Sequence, residues 1–145
     1  MAIDPLLEIH SYNGAGYKPF VDFGAWRVAI LRYIDELRVE SLGAMQRHDE
    51  TDEVFVLLAG RCILFVGEGN DTVTAIHARD MEPLRLYNVK RGAWHTHTLS
   101  RDATVLIVEN CDTAGANSPT IGLGAAQRQD LAERTRQLWG ATELG

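Results

Sequence analysis

The sequence predicts one mainly β domain, a barrel-like sandwich of short strands with a single C-terminal helix. Three observations predict it. Short runs rich in β-branched, aliphatic and aromatic residues recur through the middle of the chain. Turn residues separate them at even spacing, and helical periodicity is convincing in only one stretch, near the C-terminus. The chain has 145 residues, which suits one domain over 1–145. A domain of that length buries about two-thirds of its unfolded surface and needs neither disulfide nor metal to fold.

The elements follow in order. Ala25 to Tyr33 (AWRVAILRY) reads as the first strand, and residues 34–43 fit either a short helix or a loop. Glu53 to Leu58 (EVFVLL) is the strongest strand signal. Ala59-Gly60 suits a tight hairpin into Arg61 to Val66 (RCILFV). Gly67 to Asp71 is a turn by composition, followed by a weaker strand at Thr72 to His77. Leu84 to Val89, Ala93 to Leu99 and Ala103 to Glu109 complete the set, divided by turns at 90–92 and 100–102. The barrel therefore spans about 25–110. Residues 110–119 read as a loop from their Asp, Gly, Asn and Pro content.

Residues 125–139 form the helix, with Leu131, Thr135, Leu138 and Trp139 on one face and Gly140 at its end. This helix is expected on the barrel exterior or against a partner, with Arg128, Arg134 and Arg136 on a solvated side. The runs at 53–58 and 104–108 are apolar on both alternating faces, so both faces need cover.

Charge and composition narrow the function. Fourteen Lys and Arg stand against twenty Asp and Glu, a net charge of -6. No basic run is present, so nucleic acid and anionic membranes are not expected partners. No window approaches the roughly 18 apolar residues of a membrane span. Cys62 and Cys111 are no disulfide framework, and Cys62 reads as a core thiol. With no signal-peptide pattern, the cytoplasm is the expected compartment by elimination.

The chemistry lies in the histidines. His95 and His97 are two apart in a strand-like run, so both point to one face while Trp94, Thr96 and Thr98 point to the other. Gln46 and His48 stand in the same relation if their segment is extended. Two such pairs on paired strands can converge. His48, His95 and Glu53, which begins the next strand, would form a two-His, one-carboxylate set with open positions for a divalent transition metal. The acidic run from Asp49 to Glu53 lacks the alternating oxygens and central Gly of a calcium loop. His10 and His77 belong to no motif and are expected at the surface.

These residues resemble the two motifs of the cupins. Gln46-Arg-His48, then Glu53 and Gly60, is similar to a first motif in which His-x-His precedes Glu and Gly. Lys90-Arg-Gly92-Ala-Trp-His95 is similar to the second, Pro-x-Gly-x-x-His. The resemblance covers roughly 40–110. It implies a double-stranded β-helix, or jelly-roll barrel, with a metal in the barrel mouth and a homodimer. The sequence departs from the motifs where Gln46 replaces the first His, Lys90 the Pro and Leu99 a terminal Asn. Gln46 offers an oxygen as a fourth donor, and His97, extra to the motif, is a candidate catalytic acid or base. Tyr87 and Trp94 are candidates for supporting or lining the substrate pocket.

Three functions follow as expectations. The first is a metal-binding enzyme acting on a small polar molecule, with Fe, Mn, Zn or Ni as cofactor and isomerase, lyase or dioxygenase chemistry open. The second is a non-catalytic module binding a sugar or small acid in a metal-free cavity. The third is metal-free acid–base catalysis by His95 or His97 with a tyrosine.

Overall fold

The computed structural model describes residues 5–140. It is mainly β, with ten strands in two five-stranded antiparallel sheets and one helix, as a jelly-roll barrel requires. The first sheet has the order β1 (Tyr17–Phe23), β2 (Trp26–Arg32), β9 (Thr104–Asn110), β4 (Glu53–Ala59), β7 (Leu86–Val89). The second runs β10 (Thr120–Gly122), β3 (Ala44–Gln46), β8 (Trp94–Leu99), β5 (Cys62–Glu68), β6 (Ala75–Asp80).

Alternation places the core. Inward residues of the first sheet, among them Ala29, Leu31, Phe55, Leu57, Val105 and Ile107, meet Cys62, Leu64 and Leu99 of the second in one apolar cluster. Strand β5 is buried on both faces. Its Ile63 and Phe65 point outward, and with Met45 and Trp94 they pack under Leu131 and Trp139 of α1 (Ala125–Trp139). The helix thus covers the outer face of the second sheet, as expected for an exterior helix. Leu138 is the correction: the apolar face comprises Leu131, Thr135 and Trp139, while Leu138 is exposed. Position 138 is about two turns from 131 and just under one from 135, at the edge of the stripe, where solvent reaches it.

Other differences have local causes. The Ala59-Gly60 turn is not a hairpin, because β4 and β5 lie in different sheets and carry the chain from one to the other. Gly60 has φ 71°, and a Cβ there would lie 2.5 Å from the Ala103 backbone, so the crossover demands glycine. The strand expected at 72–77 lies at Ala75–Asp80, because the turn continues until Thr74 N–H donates to Glu68 O. Residues 34–43 are two short 3₁₀ turns, Asp35–Leu37 and Val39–Ser41. Strands β1 and β10 have no counterpart in the sequence reading. Pro19 marks β1 as an edge strand with a register break before Val21, and β10 is only three residues long.

Candidate metal centre and its cavity

Both sheets contribute to one cavity. Strand β8 pairs with β3 through Gln46 opposite His95, and His48 follows β3 directly. Glu53 opens β4 and Glu109 lies near the end of the neighbouring β9, both buried on the inward rows of their strands. Backbone bonds join the two motif segments. Gly92 N–H donates to His48 O at 2.8 Å, with Gly92 at φ 83°. Asp52 accepts from Arg91 N–H at 2.7 Å and from Asn88 Nδ2 at 3.0 Å.

His48, Glu53 and His95 are all buried, and their ligand atoms lie within 4.8 Å of one another. Glu53 Oε1 is 2.9 Å from His95 Nε2 and 3.3 Å from His48 Nε2. The second ring nitrogens fix the tautomers. His95 Nδ1 faces Ala93 O at 3.1 Å, and a carbonyl only accepts, so Nδ1 carries the proton. Ser118 Oγ is 2.7 Å from His48 Nδ1 and donates its one proton to Asn117 Oδ1 at 2.8 Å. Asn117 Nδ2 in turn donates to Glu50 and Asp112 O. Ser118 therefore accepts from His48 Nδ1–H.

Neutral imidazoles so held aim two Nε2 lone pairs at a carboxylate oxygen. Three acceptors facing one another need a shared cation. A divalent metal fits this donor set, and tying off Nδ1 is how ligating histidines are usually oriented. Without metal, protons must serve. Burial alone pulls the His48 pKa down, but Glu53 and Glu109 overcome it and raise it. Burial alone raises Glu53, but the two imidazoles overcome it and hold it below the usual carboxylate range.

The cavity, about 500 Å³, is within the size range of small-molecule sites. Gln46 lies in its wall with its nitrogen committed to Ser118 O at 3.3 Å, leaving the carbonyl oxygen as its remaining polar atom. His97 also lines the cavity, 5.6 Å from the Phe55 ring. Its Nδ1 is buried with no hydrogen-bond partner, and burial pushes the ring down to about 4.

Tyr87 and Trp94 do not line the cavity. Tyr87 packs against the core between the sheets and its hydroxyl accepts from Glu82 N–H. Trp94 is out of step with His95 and His97, faces the helix side and donates to Asn70 O. His10 and His77 are exposed, beside Glu8 and Glu68 respectively.

Two cavity residues were missed by the sequence reading. Glu109 is 7% exposed, with Oε1 3.7 Å from His48 Nε2. Tyr17 donates its hydroxyl to Glu109 Oε2 at 2.9 Å. Burial, then the charge of Glu53, pushes Glu109 up to about 7. A charged residue in step with Val105 and Ile107 was the available signal. Tyr17 gave none, since its strand went unread.

No family model matches the chain, and no curated protein matches it in sequence. Solved structures do resemble it. A variant of Streptomyces PAC13, solved with uridine, aligns at TM-score 0.53 and 9% identity over 80% of this chain and 88% of that one. The Bacillus halodurans protein BH2720 aligns at 0.50 and 14% identity, over 68% and 71%. A cupin-2 domain protein from Shewanella frigidimarina aligns at 0.47 and 16% identity, over 68% and 84%. Identities this low speak to architecture alone. The two five-stranded sheets and the two alignments at TM-score 0.50 and above agree on architecture: the chain has a jelly-roll fold of the cupin type, without assignment to a subgroup.

Proposed function

We propose that the protein is a metal-dependent enzyme acting on a small polar molecule. The carrying observation is the convergence of His48 Nε2, His95 Nε2 and Glu53 Oε1, with both Nδ1 atoms tied off. Fe, Mn, Zn or Ni suits such a nitrogen and oxygen set. When bound, the ion supplies Lewis-acid polarisation of a substrate oxygen, or dioxygen chemistry if it is iron. Gln46 supplies a fourth, weaker oxygen donor. His97 faces the substrate and handles its proton. The apolar wall, including Leu31, Leu37 and Ile107, excludes water from the far side of the substrate.

Elemental analysis of untagged protein tests this reading. It expects one transition-metal ion per chain, lost in both His48→Ala and His95→Ala. Full retention in both variants would mean the ligands are elsewhere.

A second reading, a non-catalytic sugar-binding module without metal, is favoured by one observation. Gln46 stands where the motif has an imidazole, and its amide is already engaged with Ser118 O. Metal-free protein that still binds a sugar would support it.

The protein further acts as a homodimer in this reading. The outer face of the first sheet presents Val28, Ile30, Val54, Val56, Leu106 and Val108, half-buried, with no helix among the described residues over it. Leu58 and Leu86 extend the apolar surface and are exposed. A second copy covers this face. A single species at monomer mass in sedimentation, at micromolar concentration, would remove the dimer.

A further inference from the structure

The cavity is layered along its strands. The upper layer is the donor set, His48, Glu53 and His95. One inward step further along β4, β8 and β9 stand Phe55, His97 and Ile107. They lie about 7 Å deeper, the rise of two strand residues. Phe55 pairs with Ile107, and its ring centroid is 6.1 Å from that of His95 and 5.6 Å from that of His97, so it bridges the two levels. Deeper still, Leu31 sits opposite Val105 near the end of β2, and the chain turns across the far end at Ile34 and Leu37. Thr98 Oγ1 donates to Leu37 O at 2.7 Å and ties this turn to the lower end of β8.

Leu31, Ile34, Leu37 and Ile107 all line the cavity. Ile34 and Leu37 are only half-buried, so each keeps apolar surface that the core does not cover. No Asp, Glu, Lys or Arg lines this lower half among the described residues. Donors at one end and hydrocarbon at the other dictate what fits. A ligand polar throughout would hold its far hydroxyls against four aliphatic side chains, with only the ring of His97 to satisfy them, and a stranded hydroxyl is costly. A polar head with a hydrocarbon tail suits both ends. The head takes the open positions of the ion, and the tail removes the free surface of Ile34 and Leu37 from water.

We propose that the substrate is a small molecule with an oxygen-donor head and a short hydrocarbon tail, the tail lying in a pocket of Leu31, Ile34, Leu37 and Ile107. This rests on the metal reading above and names the substrate class for the same site.

The test uses the Co(II)-loaded protein and a set of hydroxamates, read by the visible absorption of the ion. Co(II) binding is measured first. Acetohydroxamate and hexanohydroxamate share one head and differ by four methylenes, each of which adds about fourfold in affinity when buried. Hexanohydroxamate is expected to bind wild type about 30-fold more tightly or better. Gluconohydroxamate has the same chain length with a hydroxylated tail, and is expected to bind no more tightly than acetohydroxamate. Ile34→Asn and Leu37→Asn are each expected to cut the hexanohydroxamate-to-acetohydroxamate affinity ratio by about fivefold or more. Ile34→Thr repeats the measurement if an asparagine variant fails to fold. Gluconohydroxamate binding as tightly as hexanohydroxamate overturns the proposal, as does a ratio unmoved by the substitutions, which would put the tail elsewhere. If Co(II) binds one per chain and chain length makes no difference, this inference alone falls. If Co(II) does not bind, it falls together with the metal reading.

Discussion

The inward rows of β4 and β9 change character within one step. Phe55 lies opposite Ile107, and both are buried and apolar. Two residues nearer the mouth, the same rows carry Glu53 and Glu109, at 6% and 7% exposure. The backbone, the pairing and the burial hardly differ, yet one half of the row closes the barrel and the other turns two carboxylates into the cavity. Burial by itself therefore does not distinguish core from site. The distinction is whether a buried group has polar partners: Glu53 has two imidazoles and Glu109 has a phenol.

Breaking the closed half should have the largest effect. Phe55 is fully buried and its ring lies against both His95 and His97. Phe55→Ala is expected to cost about 4 kcal/mol of stability, seen as a lower denaturant midpoint at unchanged slope. A loss below about 1 kcal/mol would show that this row is not core. Breaking the open half should act on the ion instead. His95→Ala is expected to weaken metal binding by about 100-fold or more, measured by competition with a chelator. Unchanged affinity would remove His95 from the ligand set.

The carboxylate pair sharpens the comparison through pH. Burial and Glu53 raise Glu109 from 4.5 to about 7. A group raised on folding contributes its stability fully below the unfolded value and loses it as pH rises through the folded value. In chelator, the metal-free wild type should therefore fall behind Glu109→Gln between about pH 4.5 and 7, by roughly 3 kcal/mol once above that window. Thermal melts at pH 4.5, 6 and 8 measure the gap, and a pH-independent difference would mean that Glu109 ionises normally. The smallest effect belongs to Ser118, which only orients His48. Ser118→Ala should weaken metal binding about tenfold and leave the cavity intact, checked by the same chelator competition.

Much of this contrast was legible in the sequence, and the exceptions are instructive. The alternation in EVFVLL and ATVLIVE and the parity of His95 and His97 come from strand geometry, which sequence spacing reports directly. Glu109 was equally in step with its row, but was read as the end of a strand rather than as a buried charge. Tyr17 and Ser118 were out of reach for another reason. Their roles depend on pairings 92 and 70 residues away in the chain, and the short or proline-bearing strands that bring them there carry little periodicity. Trp94 and Tyr87 were grouped with the pocket because aromatics often line cavities, although alternation already set Trp94 on the other side.

The bond from Gly92 N–H to the His48 carbonyl has a kinetic corollary. Glu53 and His95 are 42 residues apart, so no short fragment contains the donor set. The ion has no full donor set to grip until the 42-residue stretch from Glu53 to His95 has closed and this backbone link is in place. Metal uptake after dilution from denaturant would thus report that closure. A free ion at 100 times its dissociation constant would slow the reverse reaction in proportion to the roughly 2.7 kcal/mol it adds to the native state, provided the unfolding transition state has already released it.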